Sequence, residues 1–270
     1  MVDSDRLTAC VEYIKRMDIR FIGINPFLGY KNREIDFLTE LTDFVEGVII
    51  PEKFSDISVL NSLHKLKTLG FPDNGKTIVG LSNFPNLSTL ACDYSTRLVS
   101  LESCDQLRHL TLTKFRSGNR GLKELPKLSS LTTLDLFKPD IISLEGVTNF
   151  PMLRELTIFR ASRLENISAL SNIKQTLTKL ELDQCKRISS YDSLSKTINL
   201  RTLIIGNSAP IRSLSFVTSL QNLEFISFVG TNVVDGDLSP TIGIGYVGFD
   251  DRRHYSHKFR EGSRVTSRKS

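Results

Sequence analysis

The chain has 270 residues, of which 40% are hydrophobic and 24% charged, with a formal net charge of +5. That balance is ordinary for a soluble protein, and no apolar run approaches the ~18 residues that a membrane span requires. The charge is uneven: residues 252–270 hold seven Lys or Arg and one acid, a balance of +6, which leaves −1 for residues 1–251.

Residues 3–17 read as a short amphipathic helix. Asp3 or Ser4 can cap it, and Leu7, Cys10, Val11, Ile14 and Met17 fall at helical spacing. Residues 1–18 are therefore expected to form an N-terminal capping helix over the first strand, whose unpaired backbone groups would otherwise be open to association. The segment Met1–Arg6 carries acids where a secretory leader needs basic residues, and no long apolar core follows. The expectation is a cytoplasmic protein.

From Ile19 a six-residue phrase recurs, apolar at its first, fourth and sixth positions. It begins again at Val45, Leu66, Leu87, Leu107, Leu131, Leu153, Leu177, Leu200, Leu223 and Ile244, in steps of 20 to 26 residues. A period of this length marks a repeat architecture. Alternation at the fourth and sixth positions places both side chains on one face of a short strand, and the third, fifth and seventh point the other way. Between phrases lie about a dozen residues with a second apolar set, such as Ile141 and Leu144, Ile167 and Leu170, or Ile211 and Leu214. These form a return leg that leads to the next parallel strand, with the usual right-handed crossover. No unit buries both apolar rows alone, so each depends on its neighbours.

Along the chain the legs vary. Asn25–Asp43 is long, and Arg33–Leu41 within it is expected to form a helical turn or two. Asn83-Phe84-Pro85-Asn86-Leu87 and Asn149-Phe150-Pro151-Met152-Leu153 match three repeats apart, with Pro stopping the leg before the strand. The insert Arg116–Gly121 is expected to be a loop at the rim. The repeats run over 19–249, and 250–270 form a basic C-terminal tail in which Tyr255 and Phe259 could pack over the last strand. Cys10, Cys92, Cys104 and Cys185 make no C-x-x-C pair, and Cys92 and Cys185 read as reduced core residues.

The pattern L-x-x-L-x-L with an apolar return leg resembles the leucine-rich repeats, and its spacing is similar to the bacterial, internalin-type class. The resemblance implies an α/β fold, a right-handed solenoid with a parallel concave β-sheet and short helical, 3-10 or irregular convex legs. It also implies a buried Asn ladder at the ninth position. Asn74 and Cys185 fit that slot, whereas Ser95, Phe115, Pro139, Ala161, Ser208 and Thr231 occupy it elsewhere, so the ladder is expected to be mostly missing.

Motifs of chemistry are weak. Gly243–Gly248 spells G-x-G-x-x-G, but the glycines interleave with the last phrase and no helix follows to meet a phosphate. His254 and His257 lie three apart without a third metal ligand at suitable spacing. No nucleophile elbow, phosphate loop or paired carboxylate site is present. The reading is a non-enzymatic protein with no cofactor and no metal.

The third, fifth, seventh and eighth phrase positions supply the candidate partner-binding face. Tyr94, His109, Lys114, Asp135, Phe137, Lys138, Glu155, Phe159, Arg160, Lys179, Glu181 and Asp183 lie there. Asp135, Glu155, Glu181 and Asp183 form an acidic patch, Lys114, Lys138 and Arg160 a basic column beside it, and Phe137 and Phe159 stack between them. Polar residues on an exposed sheet face are ordinary, whereas two aromatics in register mark a contact surface. Arg252, Arg253, His254, Tyr255 and His257 are candidate tail contacts.

The expectation is a protein-binding module, specifically an inhibitor or immunity protein occluding a toxin such as a nuclease. Small, irregular bacterial leucine-rich-repeat proteins of this kind resemble immunity proteins encoded beside toxins. The alternatives are a scaffold or regulatory subunit of a cellular enzyme, and nucleic-acid binding through the basic tail, in which Lys258, Arg260, Arg264, Arg268 and Lys269 would join Arg252 and Arg253.

Overall fold

Each phrase becomes a short strand because its buried residues alternate with solvent-facing ones. The computed structural model of the protein describes residues 2–258. Eleven phrase strands lie parallel and follow one another in sequence order. The chain divides into two units, Met1–Thr113 and Lys114–Ser270. The first holds β1 (Phe21–Gly23), β2 (Gly47–Ile49), β3 (Thr68–Phe71), β4 (Thr89–Asp93) and β5 (His109–Thr113). The second holds β6 (Thr133–Phe137), β7 (Glu155–Phe159), β8 (Lys179–Asp183), β9 (Thr202–Gly206), β10 (Phe225–Ser227) and β11 (Tyr246–Gly248).

Within each unit the register sets equal phrase positions side by side. Thr133, Glu155, Lys179, Thr202, Phe225 and Tyr246, all third positions, form one row across β6 to β11. The first, fourth and sixth side chains are buried in every phrase except for the half-buried Ile19. Leu134, Leu136, Leu156, Ile158, Leu180 and Leu182 are among those with no exposure at all. Displacing such a row by one residue would turn it to solvent, so burial fixes the register.

The return legs are 3-10 turns, including Ser58–Ser62 in the first unit and Val147–Asn149, Ser168–Ile173, Asp192–Lys196 and Ser215–Ser219 in the second. A leg of about a dozen residues must also cross back over the core. Short 3-10 turns, with a rise near 2.0 Å per residue, cover that distance in fewer residues than an α-helix. Phe84 and Phe150 plug the corner before the strand in their repeats, at 1% and 0% exposure, and each carbonyl accepts the N–H of the Leu that opens the next phrase at 3.0 Å.

The N-terminal segment is a 3-10 turn, Ser4–Arg6, leading into helix α1, Leu7–Arg16. Asp3 accepts the Asp5 N–H at 3.0 Å. Val11 and Ile14 are buried, whereas Met17 is exposed. The long leg contains the 3-10 turn Asp36–Leu41, which buries Phe37, Leu38 and Leu41. The insert differs from the expected loop: Arg116–Gly118 is a strand that pairs in parallel with Asp140–Ile141. The reason is backbone pairing, since the Asp140 N–H donates to the Phe115 carbonyl at 2.7 Å and Ser117 Oγ bonds the Gly121 carbonyl.

At the ninth position the asparagine ladder is mostly missing, as the residue types imply, and other groups stand in for it. Cys185, Ser208 and Thr231 in consecutive repeats form a short ladder of thiol and hydroxyl groups in place of asparagines. Ser208 Oγ accepts the Cys185 N–H at 3.0 Å and lies within hydrogen-bonding distance of the Leu182 and Gly206 carbonyls. Thr231 Oγ1 accepts the Ser208 N–H at 2.9 Å, and Cys185 Sγ lies 3.6 Å from the Ile158 carbonyl. A hydroxyl both donates and accepts, so this slot is satisfied without an amide. Burial pushes the Cys185 thiol up to about 11, so it stays protonated at neutral pH. Cys92 is likewise buried and its thiol is raised by desolvation.

After β11 the segment 250–258 is fastened to the last return leg. The Tyr255 ring sits edge-on to Phe249 at 5.9 Å, and Phe249 stacks on Phe228 at 5.4 Å. Tyr255 Oη accepts the Val233 N–H at 2.9 Å. Ser256 donates its N–H to the Gly236 carbonyl and accepts the Leu238 N–H, both at 2.9 Å. Phe259, Arg260, Arg264, Arg268 and Lys269 lie outside the described residues.

Candidate functional site

The second unit presents the candidate face on β6, β7 and β8. Their in-register pairing opposes Phe137 to Phe159, Asp135 to Thr157, Thr157 to Glu181, and Glu155 to Lys179. The Phe137 and Phe159 rings lie 6.0 Å apart at 60°, and Phe137 is 37% exposed. The Arg160 guanidinium lies 5.0 Å from the centre of the Phe159 ring, and its Nε donates to Gln184 Oε1 at 2.9 Å. Glu155 and Lys138 are exposed, and Lys179, Glu181, Asp183 and Asp135 half-buried. Glu155, Lys179, Glu181 and Asp183 take part in no ion pair within 4.0 Å among the described residues.

The basic column has a backbone property that the spacing does not reveal. Lys114, Lys138 and Arg160 adopt φ of 59°, 53° and 58°, and Gln184, Asn207 and Gly230 continue the series at 56°, 47° and 74°. Position eight is thus a left-handed turn in six consecutive repeats. In the first five its N–H donates to the seventh-position carbonyl of the next repeat, as from Lys138 to Phe159 at 2.7 Å and from Arg160 to Asp183 at 2.9 Å, whereas Gly230 donates to the Asp250 carboxylate at 2.7 Å. The turn swings the eighth side chain to the rim beside the aromatic pair.

Tyr94 and His109 belong to the first unit; Tyr94 is half-buried and His109 exposed at the start of β5. The first unit's own open face carries Phe21, whose ring lies over Gly47, and Ile49 beside Gly70. A cleft of about 290 Å³ lies between α1 and β1, lined by Val2, Ala9, Tyr13, Ile14 and Phe21.

The tail contacts separate. Arg253 and His254 are exposed and Arg252 half-buried, whereas Tyr255 and His257 are 4% and 9% exposed. Expected as partner contacts, Tyr255 and His257 are turned inwards: the Tyr255 hydroxyl bonds the last return leg, and the His257 ring bonds the neighbouring Ser256 hydroxyl. His254 Nε2 lies 2.9 Å from the Val233 carbonyl, and His257 Nδ1 lies 2.8 Å from Ser256 Oγ. The glycines of the G-x-G-x-x-G run sit in and around β11, with no helix after them among the described residues. Among the described residues no group of three His, Cys, Asp or Glu is placed to hold a metal ion, and no helix is long and apolar enough to cross a membrane.

Two face residues were left out of the sequence reading. Phe225 and Tyr246, third positions of the last two phrases, stack face to face at 4.5 Å and 8°. The same third-position rule that gave Glu155 and Lys179 reaches them once it is carried beyond the central repeats.

No protein-family model and no curated protein sequence matches the chain. Solved structures do. An internalin, InlF, from Listeria monocytogenes is similar over 82% of this chain and 67% of its own, with a TM-score of 0.59 and 22% identity. Internalin C2 of the same organism is similar over 73% of this chain and 77% of its own, at a TM-score of 0.51 and 20% identity. The functional domain of InlJ, also from Listeria monocytogenes, which includes a cysteine ladder, is similar over 86% of this chain and 59% of its own, at a TM-score of 0.53 and 15% identity. The recurring phrase, the parallel strands in sequence order, the 3-10 return legs and these likenesses together give the chain the leucine-rich-repeat solenoid fold.

Proposed function

We propose that the chain is a non-enzymatic protein-binding module that engages its partner with the open sheet face of the second unit. The observation that carries this is the pair Phe137 and Phe159, held side by side on solvent-facing positions with charged side chains around them. Aromatic groups ringed by polar ones are the usual energetic centre of a protein interface. The face is built on paired strands, so association orders little backbone, and its mixed charge favours a complementary partner.

Within that class we favour an inhibitor of a single protein, an immunity protein acting in the cytoplasm on a toxin such as a nuclease. The support is chemical: Asp135, Glu155, Glu181 and Asp183 suit a basic active-site surface. A regulatory subunit of a cellular enzyme would use the same face and is separated from the inhibitor by the partner's identity. Nucleic-acid binding through the tail is disfavoured by the burial of Tyr255, the aromatic that would stack on bases.

The test is purification of the tagged chain with its bound partner, followed by affinity measurements on Phe159→Ala and Glu155→Lys. Each is expected to weaken binding by tenfold or more, on the order of 1.4 kcal/mol or above. Unchanged affinity in both variants would overturn this use of the face. If the partner is a toxin, loss of binding should also remove protection of cells from it.

A further inference from the structure

The loops that follow β1 and β2 in the first unit bring an exposed aromatic turn beside a cationic cavity. The 3-10 turn Pro26–Leu28 has Pro26 at its start, and Asn25 Oδ1 accepts the Phe27 N–H at 2.9 Å. Gly29 closes the turn at φ 104°, a conformation that favours glycine. None of the three turn residues is buried. Phe27 is 84% exposed, the most of any large apolar side chain among the described residues, and Leu28 is exposed as well. A cap, a proline and a glycine thus hold an aromatic ring out in water.

Pro26, whose Cα is about 3.8 Å from that of Phe27, lines a cavity of about 500 Å³ together with Tyr30, Lys31, Arg33, Lys53 and Phe54. The buried Tyr30 and Phe54 rings meet edge-on at 5.7 Å. Ser55 donates its N–H and its Oγ–H to the Arg33 carbonyl at 3.3 and 3.1 Å. That tie joins the two loops and keeps Arg33 and Lys53 on one cavity. No acid lines it: Glu34 and Glu52 adjoin these cations in sequence but stand outside the lining. Lys31 Nζ lies 3.4 Å from Asp5 Oδ2. Arg33 and Lys53 form no ion pair within 4.0 Å among the described residues, and Lys53 acts on Asp73 only at longer range.

We propose that this surface docks the first unit on an anionic phospholipid membrane, with Lys31, Arg33 and Lys53 holding headgroup phosphates while Phe27 and Leu28 enter the layer beneath. Peripheral binding grows with the apolar area buried and with the attraction to anionic lipid, and one short stretch of chain supplies both. Each cation near such a surface contributes about fivefold in affinity. A free phosphate would use the cations and leave Phe27 in water. A nucleic-acid strand would stack a base on Phe27, but Leu28 has no aromatic face to offer, whereas acyl chains take both side chains. The site concerns the first unit alone and stands apart from the partner-binding face of the second.

The chain has no tryptophan, so Phe27→Trp supplies a single fluorescent reporter at the exposed turn. Titrated with vesicles of phosphatidylcholine mixed with phosphatidylglycerol, the full chain is expected to show a saturable blue shift of its emission. Vesicles of phosphatidylcholine alone should leave the emission unmoved. Met152→Trp, at an exposed position in the second unit, should not respond to either, and an equal response there overturns the site. Adding Arg33→Glu and Lys53→Glu to the reporter chain should weaken vesicle binding about tenfold or more. Phe27→Ala should weaken co-sedimentation with the mixed vesicles several-fold. All these side chains are exposed, and far-ultraviolet circular dichroism verifies that each variant is folded. A shift that survives the charge reversal undiminished would place the attraction elsewhere, such as in the basic tail, and overturn the site. A reporter that answers inorganic phosphate or a thymidine oligonucleotide but not the vesicles would overturn the membrane as occupant, and so would one that answers none of them.

Discussion

The left-handed turn at position eight shows how a single residue's backbone determines where a functional side chain goes. Each of Lys114, Lys138 and Arg160 accepts a conformation that costs an L-residue about 1–2 kcal/mol. In return its N–H reaches the next repeat and its side chain reaches the rim. Nothing in residue type announces this, since lysine and arginine are not turn formers. Glycines present the converse case, and two of them separate backbone limits from side-chain limits. At Gly146, φ is 93° and a Cβ would lie 2.3 Å from the Lys123 nitrogen. At Gly47 the obstacle at 2.2 Å is only the ring of Phe21, which is exposed and can turn away. Urea melts should show Gly146→Ala losing roughly 3 kcal/mol or more and Gly47→Ala losing less than about 1 kcal/mol. Similar losses would mean that the backbone contact at Gly146 yields more readily than its geometry implies.

At the scale of the element, the ladder Cys185, Ser208 and Thr231 replaces an amide device with smaller groups. Ser208→Ala would strip the Cys185 N–H of its acceptor, at a cost of about 1–3 kcal/mol. The measurement is amide exchange at Cys185, expected to accelerate strongly, with Ser208→Thr retaining protection. Unaltered exchange in the alanine variant would show that the hydroxyl is dispensable. The strands themselves were fully legible, because the period of two and the repeat length are written in the apolar residues. The ladder was not, since it depends on which backbone groups lie within reach of a hydroxyl. The insert Arg116–Gly118 was read as a loop for a related reason: its pairing partner, Asp140–Ile141, lies a full repeat away. Phe225 and Tyr246 were legible by rule, yet the stacking of their rings at 4.5 Å was not, because it depends on side-chain conformation and not on spacing.

For the molecule as a whole, the sequence places the excess positive charge in the tail and leaves the repeats nearly neutral. What that tail does could not be read from composition. Its first part packs on the last return leg, where Tyr255 and Ser256 accept the N–H groups of Val233 and Leu238. The pairing of β6 to β11, each strand bonded only to its neighbours in sequence, has a mechanical consequence. Under load applied at the C-terminus, the Tyr255 contacts should yield first. The strands should then peel one at a time from β11 inwards, each repeat of about 22 residues releasing roughly 75 Å of contour length. A single-molecule trace should therefore be a staircase of nearly equal steps rather than one rupture, and the leg that a step stops at names the repeat that has just let go.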